Sequence, residues 1–392
     1  MRVLFTTNPG SGHWHPLIPF ADALRAAGHE VAFATAPSAC AAISGLGYRC
    51  FVAGADETPE EAQGRRERAA LSGTEAAAWN WQHLFAGVWA ERRLPDLLAI
   101  CAEWRPTVLV REDMEFTGCI VAEQAGLPHA VVQVTAWRPW FHSLIVLPLN
   151  HLRESLGLPS DPDLAMLYRY LLIVPAPPSY LDPVHPLPAT AHAVRHVAFD
   201  RSGEESLPTW VGDLSDRPVV YATMGTVFNK VPGILEAVVD GLRDEPTTLI
   251  VTTGRDRDPA DFGPRPPNVH LERYVPQSLL FPRCDLVITH GGSGTVITAL
   301  SHGLPMVIVP VSADQPDNAH RCEQLGVARV IAPDSRTPEA FRNAAREVLN
   351  APRYRQEAQR LREEMERLPE PEDVVGWVER LAREKQPVVT VP

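Results

Sequence analysis

The chain has 392 residues and a net charge of −12, from 36 basic and 48 acidic side chains. An acidic surface argues against nucleic acid and anionic membrane as partners. The 45% hydrophobic and 21% charged residues are typical of a core-forming globular protein, and the length predicts two domains. The most apolar region, 130–149, is interrupted by proline and polar residues, so no membrane span is expected.

The six cysteines are scattered along the chain without C-x-x-C spacing. This pattern is typical of reduced core thiols and not of disulfides or metal ligands. The first eight residues also show no cleavable signal pattern. We therefore expect a cytoplasmic protein.

The first predicted unit is strand, glycine loop, helix and strand. A buried-type strand at Val3 to Thr6 leads into a loop with Gly10 and Gly12, a helix that ends at Gly28, and a second strand at Val31 to Thr35. Gly10-x-Gly12 lacks the third glycine of a dinucleotide fingerprint, and no acid follows the second strand. A nicotinamide site is therefore not expected.

His13 stands in this first loop and is a candidate catalytic base. An imidazole has an unperturbed pKa near ~6.5, so it can take a proton from a hydroxyl around neutral pH. His15 offers the same chemistry. A base of this kind needs a carboxylate to orient it, and the predicted strand Val108 to Val110 ends at Glu112 and Asp113. The alternative role for both acids is to cap the following helix.

Aromatic side chains are concentrated in the first half of the chain. Residues with this spacing are as often core as binding site, and those outside the core are expected to line an apolar pocket. The charged segment 56–72 predicts a mobile loop over that pocket. The candidates for the pocket are Trp79, Phe85, Trp137, Trp140 and Phe141.

The segment from Leu156 to Pro208 is rich in proline, so a compact helix is not expected there. A second sheet begins at Val219 to Thr223, and Gly225 and Thr226 repeat the strand-then-glycine order. We therefore predict a first domain at 1–207 and a second at 208–371.

The most informative stretch begins with a β-branched run, Leu286 to Thr289, which predicts a buried strand. The glycine loop His290 to Thr295 follows, and then a helical pattern that ends at Gly303. A helix N-terminus at the carboxyl end of a parallel strand offers free N–H groups to an anion, so a phosphate or diphosphate is the expected ligand. The alternative is a tight turn without a ligand.

Residues on either side of the loop extend this interpretation. Tyr274 can stack on a nucleobase, and Gln277 follows it closely. After the strand that begins at Met306, Asp314 and Gln315 can hold sugar hydroxyls. Together they predict a nucleotide-sugar site.

These residues carry a family resemblance. V-P-Q at Val275 to Gln277, H-G-G-S-G-T at His290 to Thr295, G-x-P at Gly303 to Pro305 and D-Q-x-x-N-A at Asp314 to Ala319 resemble the donor motif of glycosyltransferase family 1. The whole chain is similar to the bacterial natural-product, antibiotic branch. The resemblance implies an α/β GT-B fold of two facing Rossmann-like domains, with the acceptor in the first and the sugar donor in the second. It also implies that a C-terminal helix, 372–392, packs back on the first domain.

The resemblance also implies residue roles. G-H-x-x-P at Gly12 to Pro16 is similar to the family's catalytic-base motif, which assigns the base to His13 and not to His15. Glu112 matches the partner acid, with Asp113 as a second candidate, and the aromatic candidates become acceptor-binding residues. The implied donor-binding residues are Gly12, Gly225, Thr226, Tyr274, Val275, Gln277, His290, Gly292, Ser293, Gly294, Thr295, Asp314 and Gln315.

The expected reaction is inverting transfer of a hexose from a UDP- or TDP-sugar to a hydroxyl of a hydrophobic natural-product aglycone, with no metal and no cofactor beyond the co-substrate. Asp314 and Gln315 resemble the pair in glucose-using relatives, which favours glucose without excluding a deoxysugar. A nucleotide-sugar epimerase or hydrolase on the same fold, and a non-catalytic nucleotide-sugar-binding protein, stay open. Monomer and homodimer stay open as well.

Overall fold

The computed structural model describes residues 1–68, 75, 78–200, 205–214, 216–226, 228–255 and 257–390. The chain forms two compact units. The first comprises Met1–Ala176, Asp182–Val197 and the chain from Leu368 onward, and the second comprises Pro177–Leu181 and Ala198–Arg367. The sequence places the boundaries at 207/208 and 371/372, whereas the chain changes unit at 197/198 and 367/368.

The first unit is organised around a parallel sheet of seven strands in the part of the chain that the structure describes. Its strands are β1 Arg2–Thr6, β2 Glu30–Thr35, β3 Arg49–Val52, β4 Val108–Glu112, β5 His129–Val132, β6 Leu171–Val174 and β7 Ala191–Ala193. They lie in the order β3-β2-β1-β4-β5-β6-β7. The strands β6 and β7 fall in the proline-rich segment, for which sequence analysis predicted only that a compact helix is not expected.

Helices surround this sheet. They are α1 Ser11–Trp14, α2 Ile18–Ala26, α3 Pro37–Gly45, α4 Pro59–Arg68, α5 Trp89–Trp104, α6 Thr117–Gln124 and α7 His142–Ser155, with a π-helical segment, Asn80–Val88, before α5. The prediction of a loop over 56–72 is wrong where α4 forms, because Pro59 and the acidic Glu60 and Glu61 suit a first helical turn. Residues 69–72 of that prediction lie outside the described residues.

The prediction that all cysteines are reduced is wrong for one pair. Cys40 on α3 and Cys50 on β3 form a disulfide, because the pairing of α3 with the sheet edge brings their Cα atoms to 5.5 Å. Cys101, Cys119, Cys284 and Cys322 are free and buried.

The second unit repeats the plan with six parallel strands among the described residues. Its strands are β8 Val219–Thr223, β9 Thr248–Thr252, β10 Val269–Glu272, β11 Leu286–Thr289, β12 Met306–Ile308 and β13 Ala328–Val330, in the order β10-β9-β8-β11-β12-β13. Its helices are α8 Ile234–Leu242, α9 Gln277–Leu280, α10 Ser293–Ser301, α11 Gln315–Gln324, α12 Pro338–Asn350 and α13 Pro352–Met365.

The last helix, α14 Asp373–Glu384, belongs to the first unit and packs on α2. Its buried face is Val374, Val378 and Leu381, and His29 Nε2 is 3.0 Å from Glu379 Oε1. No described helix is both long and apolar enough to cross a membrane.

The strand order reverses at one pair of strands in each sheet. The pair is β1 and β4 in the first unit, where Thr6 is level with Arg111, and β8 and β11 in the second, where Thr223 is level with Thr289. Ligands of open α/β sheets bind beyond the carboxyl ends of the strands at this reversal. The loops after these four strands are therefore the places to look for a site.

Candidate active site

The reversal in the first unit brings the predicted base and acid together. His13 lies on α1 after β1, and Glu112 is the last residue of β4. His13 Nδ1 lies 3.0 Å from Glu112 Oε1, and the side chain of His13 is 23% exposed while that of Glu112 is fully buried. The imidazole therefore has access to solvent, whereas its carboxylate partner has none.

Glu112 is held as a carboxylate by the groups around it. Asn8 donates to Oε1 from Nδ2 at 2.7 Å and from its backbone N–H at 3.3 Å, and the N–H of Met114 donates to Oε2 at 2.5 Å. Burial raises the pKa of Glu112, but the charge and hydrogen bond of His13, with the N–H groups of Met114 and Asn8, outweigh burial and leave that pKa below its ordinary value.

This environment sets the tautomer of His13. An ionised carboxylate only accepts hydrogen bonds, so Nδ1 of His13 carries the proton that Glu112 accepts. In the neutral imidazole the lone pair is then on Nε2. The arrangement prepares Nε2 to take a proton and Glu112 to stabilise the imidazolium that results.

Asp113, the second candidate for the partner acid, is directed elsewhere. Its Oδ1 accepts from the N–H of Val134 at 3.0 Å, and its Oδ2 accepts from Thr135 Oγ1 at 2.7 Å. Burial, followed by the charge of Glu112, raises the pKa of Asp113 to about 6. The hydrogen-bond geometry therefore favours Glu112 over Asp113 as the residue that orients His13.

A second buried carboxylate, Glu115, is connected to Glu112 through other side chains and was missed by sequence analysis. It accepts from Thr6 Oγ1 at 2.5 Å and forms an ion pair with Arg93 at 3.2 Å. Arg93 also donates from Nη2 to Asn8 Oδ1 at 3.0 Å, and Asn8 holds Glu112. The polar contacts thus run without interruption from Glu115 to the imidazole.

The backbone of this loop is fixed by a fully buried arginine. Arg111 Nη1 donates to the carbonyls of Glu112 and Glu115 at 3.0 and 3.1 Å, and Nη2 donates to the carbonyl of Leu167 at 2.5 Å. At Gly118, a Cβ would stand 2.6 Å from Glu115 Oε2, so glycine is required there. The available sequence signal was an arginine at the end of an otherwise apolar strand, because arginine is rarely buried without partners.

Two of the predicted acceptor residues stand at the π-helical segment: Phe85 lies within it, and Trp79 directly precedes it. The ring centroid of Phe85 lies 5.8 Å from that of His13 and 4.8 Å from that of Trp89. Trp79 stacks on His83 with centroids 5.1 Å apart. Phe85 thus places an apolar ring beside His13, in a π-helical segment of the kind that frequently occurs at functional sites.

The other acceptor candidates differ in their exposure. Trp140 is 41% exposed and packs on Trp81 at 5.2 Å, whereas Phe141 is 5% exposed and belongs to the core. Trp137 is half-buried, and its ring lies 5.0 Å from Tyr168. Trp140 and Trp137 are therefore partly accessible, whereas Phe141 packs on Trp81 with ring centroids 4.9 Å apart.

The reversal in the second unit brings two glycine loops together. Gly225 follows β8 with φ of +67°, and a Cβ on it would stand 2.6 Å from His290 Cε1. A Cβ on Gly292, the N-cap of α10, would likewise stand 2.6 Å from His290 Nε2. At Gly291, φ is +89° and Ile308 Cγ2 lies 2.7 Å from the Cβ position. These glycines allow the backbone to pack around the imidazole, which larger residues would not permit.

His290 itself is 7% exposed, and burial lowers its pKa to about 4 although the charge of Asp314 opposes this. The ring is therefore neutral at pH 7. Of the remaining loop residues, Gly294 and Thr226 are exposed, and Thr295 Oγ1 is 3.5 Å from Gln277 Nε2. Gln277 is thereby connected to the start of α10.

A hydrogen-bonded cluster at the start of α11 holds the glycine loop that follows β11. Asp314 Oδ2 accepts from Ser293 Oγ at 2.6 Å and from Asn318 Nδ2 at 3.1 Å, and Asn318 also donates to the carbonyl of Gly291 at 2.9 Å. Gln315 is 1% exposed, and its Oε1 accepts from the backbone N–H groups of residues 311 and 312. Asp314 and Gln315 thus also stabilise the loop in which they stand.

The predicted donor-binding residues that precede β11 differ in their exposure. Tyr274 is 51% exposed, and its hydroxyl donates to the carbonyl of Asp200, while Val275 is buried. The carboxylate of Asp200 accepts from Ser278 at the start of α9. Sequence analysis did not connect Asp200 with this region, because the two segments are far apart in the chain. Gly12, the remaining predicted donor-binding residue, is exposed on α1 in the first unit.

The chain is similar to known proteins along most of its length. Two domains described as erythromycin biosynthesis protein CIII-like match the chain, the N-terminal one at 22–138 and the C-terminal one at 237–381, together more than half of it. The chain is 28% identical to 4'-demethylrebeccamycin synthase of Lentzea aerocolonigenes over 90% of this chain and 93% of that protein. It is 29% identical to 10-deoxymethynolide desosaminyltransferase of Streptomyces venezuelae, over 98% of each chain. Among solved structures it is similar to the glycosyltransferase VinC in complex with DTDP, at 25% identity and a TM-score of 0.80, over 98% of this chain and 100% of VinC.

Proposed function

We propose a specific reaction for this chain, which belongs to the erythromycin biosynthesis protein CIII-like family of glycosyltransferases, in the natural-product branch of glycosyltransferase family 1. The reaction is the transfer of a hexose from a TDP-sugar to a hydroxyl of a hydrophobic natural-product aglycone. It inverts the anomeric carbon and uses no metal ion. The chemistry is divided between two half-sites, one on each unit.

The observation that carries this proposal is the pair of His13 and Glu112. The carboxylate is fully buried, it accepts from Nδ1 at 3.0 Å, and it follows a different strand from the imidazole. A histidine that only caps a helix has no need of a buried carboxylate held by Asn8 and Met114. A general base needs this partner, because the partner stabilises the imidazolium.

In the proposed step, Nε2 of His13 takes the proton of the acceptor hydroxyl. The hydroxyl oxygen forms a bond to the anomeric carbon of the sugar while the bond from that carbon to the diphosphate oxygen breaks. The nucleoside diphosphate leaves with the electron pair of that bond, and the proton remains on the imidazolium beside Glu112. A single displacement from the opposite face inverts the configuration at the anomeric carbon.

The second unit supports departure of the diphosphate without a metal. The N-terminus of α10 begins after Gly292 in a loop of glycines, and its free N–H groups suit the negative charge that grows on the leaving group. One preorganised donor of this kind is worth about 3 kcal/mol in the transition state. His290, with its pKa lowered to about 4, supplies a neutral ring in this loop.

The choice of donor and acceptor rests on relatives and on the first unit. VinC is described in complex with DTDP, and 10-deoxymethynolide desosaminyltransferase carries the name of its sugar and its macrolide acceptor. We infer a thymidine diphosphate donor and leave glucose and a deoxysugar both open. Phe85 beside His13, and Trp140 packed on Trp81 of the same π-helical segment, support an apolar acceptor.

The experiment incubates the purified protein with TDP-hexoses and a panel of aglycones and detects the acceptor plus one hexose by mass. The coupling constant of the anomeric proton in the product reports inversion, and unchanged rates in EDTA report metal independence. A control with donor alone separates transfer from hydrolysis or epimerisation of the sugar nucleotide. The proposal fails if the donor is consumed equally fast without acceptor, or if the product retains the donor's anomeric configuration.

A further inference from the structure

Five residues of the proline-rich segment, Pro177–Leu181, belong to the second unit although the chain on both sides of them belongs to the first. Nothing in the proposed reaction uses this segment. Two of its residues are nevertheless bound by side chains of the second unit, and one of them, Tyr180, is 8% exposed. Its hydroxyl donates to Asn318 Oδ1 at 2.7 Å.

The segment is held in place through its backbone. Arg321 donates from Nε to the carbonyl of Tyr180 at 2.8 Å and from Nη2 to the carbonyl of Ser179 at 2.8 Å. The N–H of Ser179 donates to Glu364 Oε1 at 2.9 Å. The tyrosine ring is thus fixed from α11 and α13, and its hydroxyl has a defined direction.

Asn318 connects Tyr180 to the glycine loop that follows β11. It is 1% exposed, and its Nδ2 lies 2.9 Å from the carbonyl of Gly291, 3.1 Å from Ser293 Oγ and 3.1 Å from Asp314 Oδ2. The carbonyl and the carboxylate are acceptors, so the NH₂ group must face them and Oδ1 must face Tyr180. Burial raises the pKa of Tyr180 well above its ordinary value, so the hydroxyl keeps its proton and remains the donor that Oδ1 requires.

We propose that Tyr180 is a positioning residue of the donor half-site: its hydroxyl fixes the amide of Asn318, and that amide holds Gly291, Ser293 and Asp314 in the arrangement that receives the sugar nucleotide. The inference rests on the proposed function of this loop. Tyr180 acts through Asn318 and does not itself contact the substrate.

The test compares thymidine diphosphate binding by calorimetry, with uridine diphosphate in parallel, for the full chain and for Tyr180→Phe. Loss of the hydroxyl leaves Oδ1 of Asn318 without its donor, so the Kd is expected to rise roughly three- to tenfold. In turnover assays the KM for the sugar donor rises by the same factor, whereas the KM for the acceptor is unchanged. If the hydroxyl of Tyr180 contributed to stability alone, neither the Kd for the nucleotide nor the KM for the sugar donor would change.

A double-mutant cycle tests the route through Asn318. Since both changes remove the same support, Tyr180→Phe combined with Asn318→Ala is expected to bind no more weakly than Asn318→Ala alone. The matched control is Tyr354→Phe, because Tyr354 is a buried tyrosine of the same unit whose hydroxyl donates to Glu347 at 2.6 Å on a different face. Its Kd is expected to stay within about twofold of the unaltered protein.

The outcomes separate this inference from the proposed function. If the unaltered protein binds neither nucleotide, the donor assignment and the role of Tyr180 both fall. If it binds and Tyr180→Phe binds equally well, only the role of Tyr180 falls. Additive effects of Tyr180→Phe and Asn318→Ala would also overturn it, because they would show that the hydroxyl does not act through the amide.

Discussion

The two half-sites share one location, the carboxyl ends of the two strands at which the sheet order reverses, but different forces hold them. In the first unit, charged groups are buried: Glu112 and Glu115 are fully buried, and Arg93 is 3% exposed. In the second unit, Gly225, with φ of +67°, and Gly292 allow the backbone to pack against a neutral His290.

The difference suits the role that we propose for each half. Proton transfer needs a base whose charge is stabilised at one atom, and buried carboxylates provide that stabilisation. A diphosphate already carries negative charge and needs N–H groups at close range, which glycines and a helix N-terminus provide. Changes of charge are therefore expected to damage the first half-site, and changes of shape the second.

The largest expected effect is that of His13→Ala. Turnover should fall by about 10³-fold, since general base catalysis contributes about 10²–10⁴. The Kd for thymidine diphosphate should stay unchanged, because donor binding depends on the second unit. Steady-state rates together with calorimetry check both parts, and turnover close to that of the unaltered protein would remove His13 from the mechanism.

Glu112→Gln removes the charge of the side chain while it keeps its shape, so it tests the same half-site with a smaller structural change than His13→Ala. We expect kcat to fall by about 10²-fold, because a neutral amide cannot stabilise the imidazolium of His13. Asp113→Asn is the matched control, since Asp113 accepts from residues 134 and 135. Equal losses in the two variants would contradict the assignment of Glu112 as the partner of His13.

Gly225→Ala tests the opposite half-site by shape alone. The backbone at this position is left-handed, with φ of +67°, which a residue with a Cβ disfavours, and the new Cβ would stand 2.6 Å from His290 Cε1, so the loop must shift. Affinity for thymidine diphosphate should fall by at least about tenfold. Gly212→Ala is the matched control in the same unit, because nothing lies within 4 Å of its Cβ position. Full affinity in Gly225→Ala would show that this loop does not touch the donor.

The smallest expected effect concerns stability and pH. The pKa of Asp113 is raised to about 6 in the folded protein, so the folded state binds more protons than the unfolded state between about pH 4 and 6. Its contribution to stability is therefore greatest below about pH 4 and is lost as pH rises through about 6. Asp113→Asn should remove this decrease, which urea unfolding at pH 4, 5, 6 and 7 can measure. A decrease of the same size in the variant would assign it to another group.

The elements were predictable where local sequence carries the signal. Runs such as Leu286–Thr289 and Val219–Thr223 form the predicted strands, because β-branched apolar residues are favoured in strands buried on both faces. A carboxylate partner for His13 at Glu112 or Asp113 was also anticipated, since both acids stand at the end of a strand predicted in the same unit, and the family resemblance favoured Glu112. The charged segment at α4 was misread as a loop, because acidic residues suit a helix N-terminus as well as a solvated turn.

By itself, the chain's order of strands, glycines and polar residues determined the fold class and the principal site candidates, because each of these signals is contained within a few neighbouring residues. The choice of Glu112 over Asp113, the network through Arg93 and Glu115, and the link from Tyr180 to Asn318 depend on residues from separate segments meeting in space. Arg93 and Asn8 are 85 positions apart, and Tyr180 and Asn318 are 138 apart. Packing of the sheets brings them together, and no local pattern in the chain encodes such a meeting.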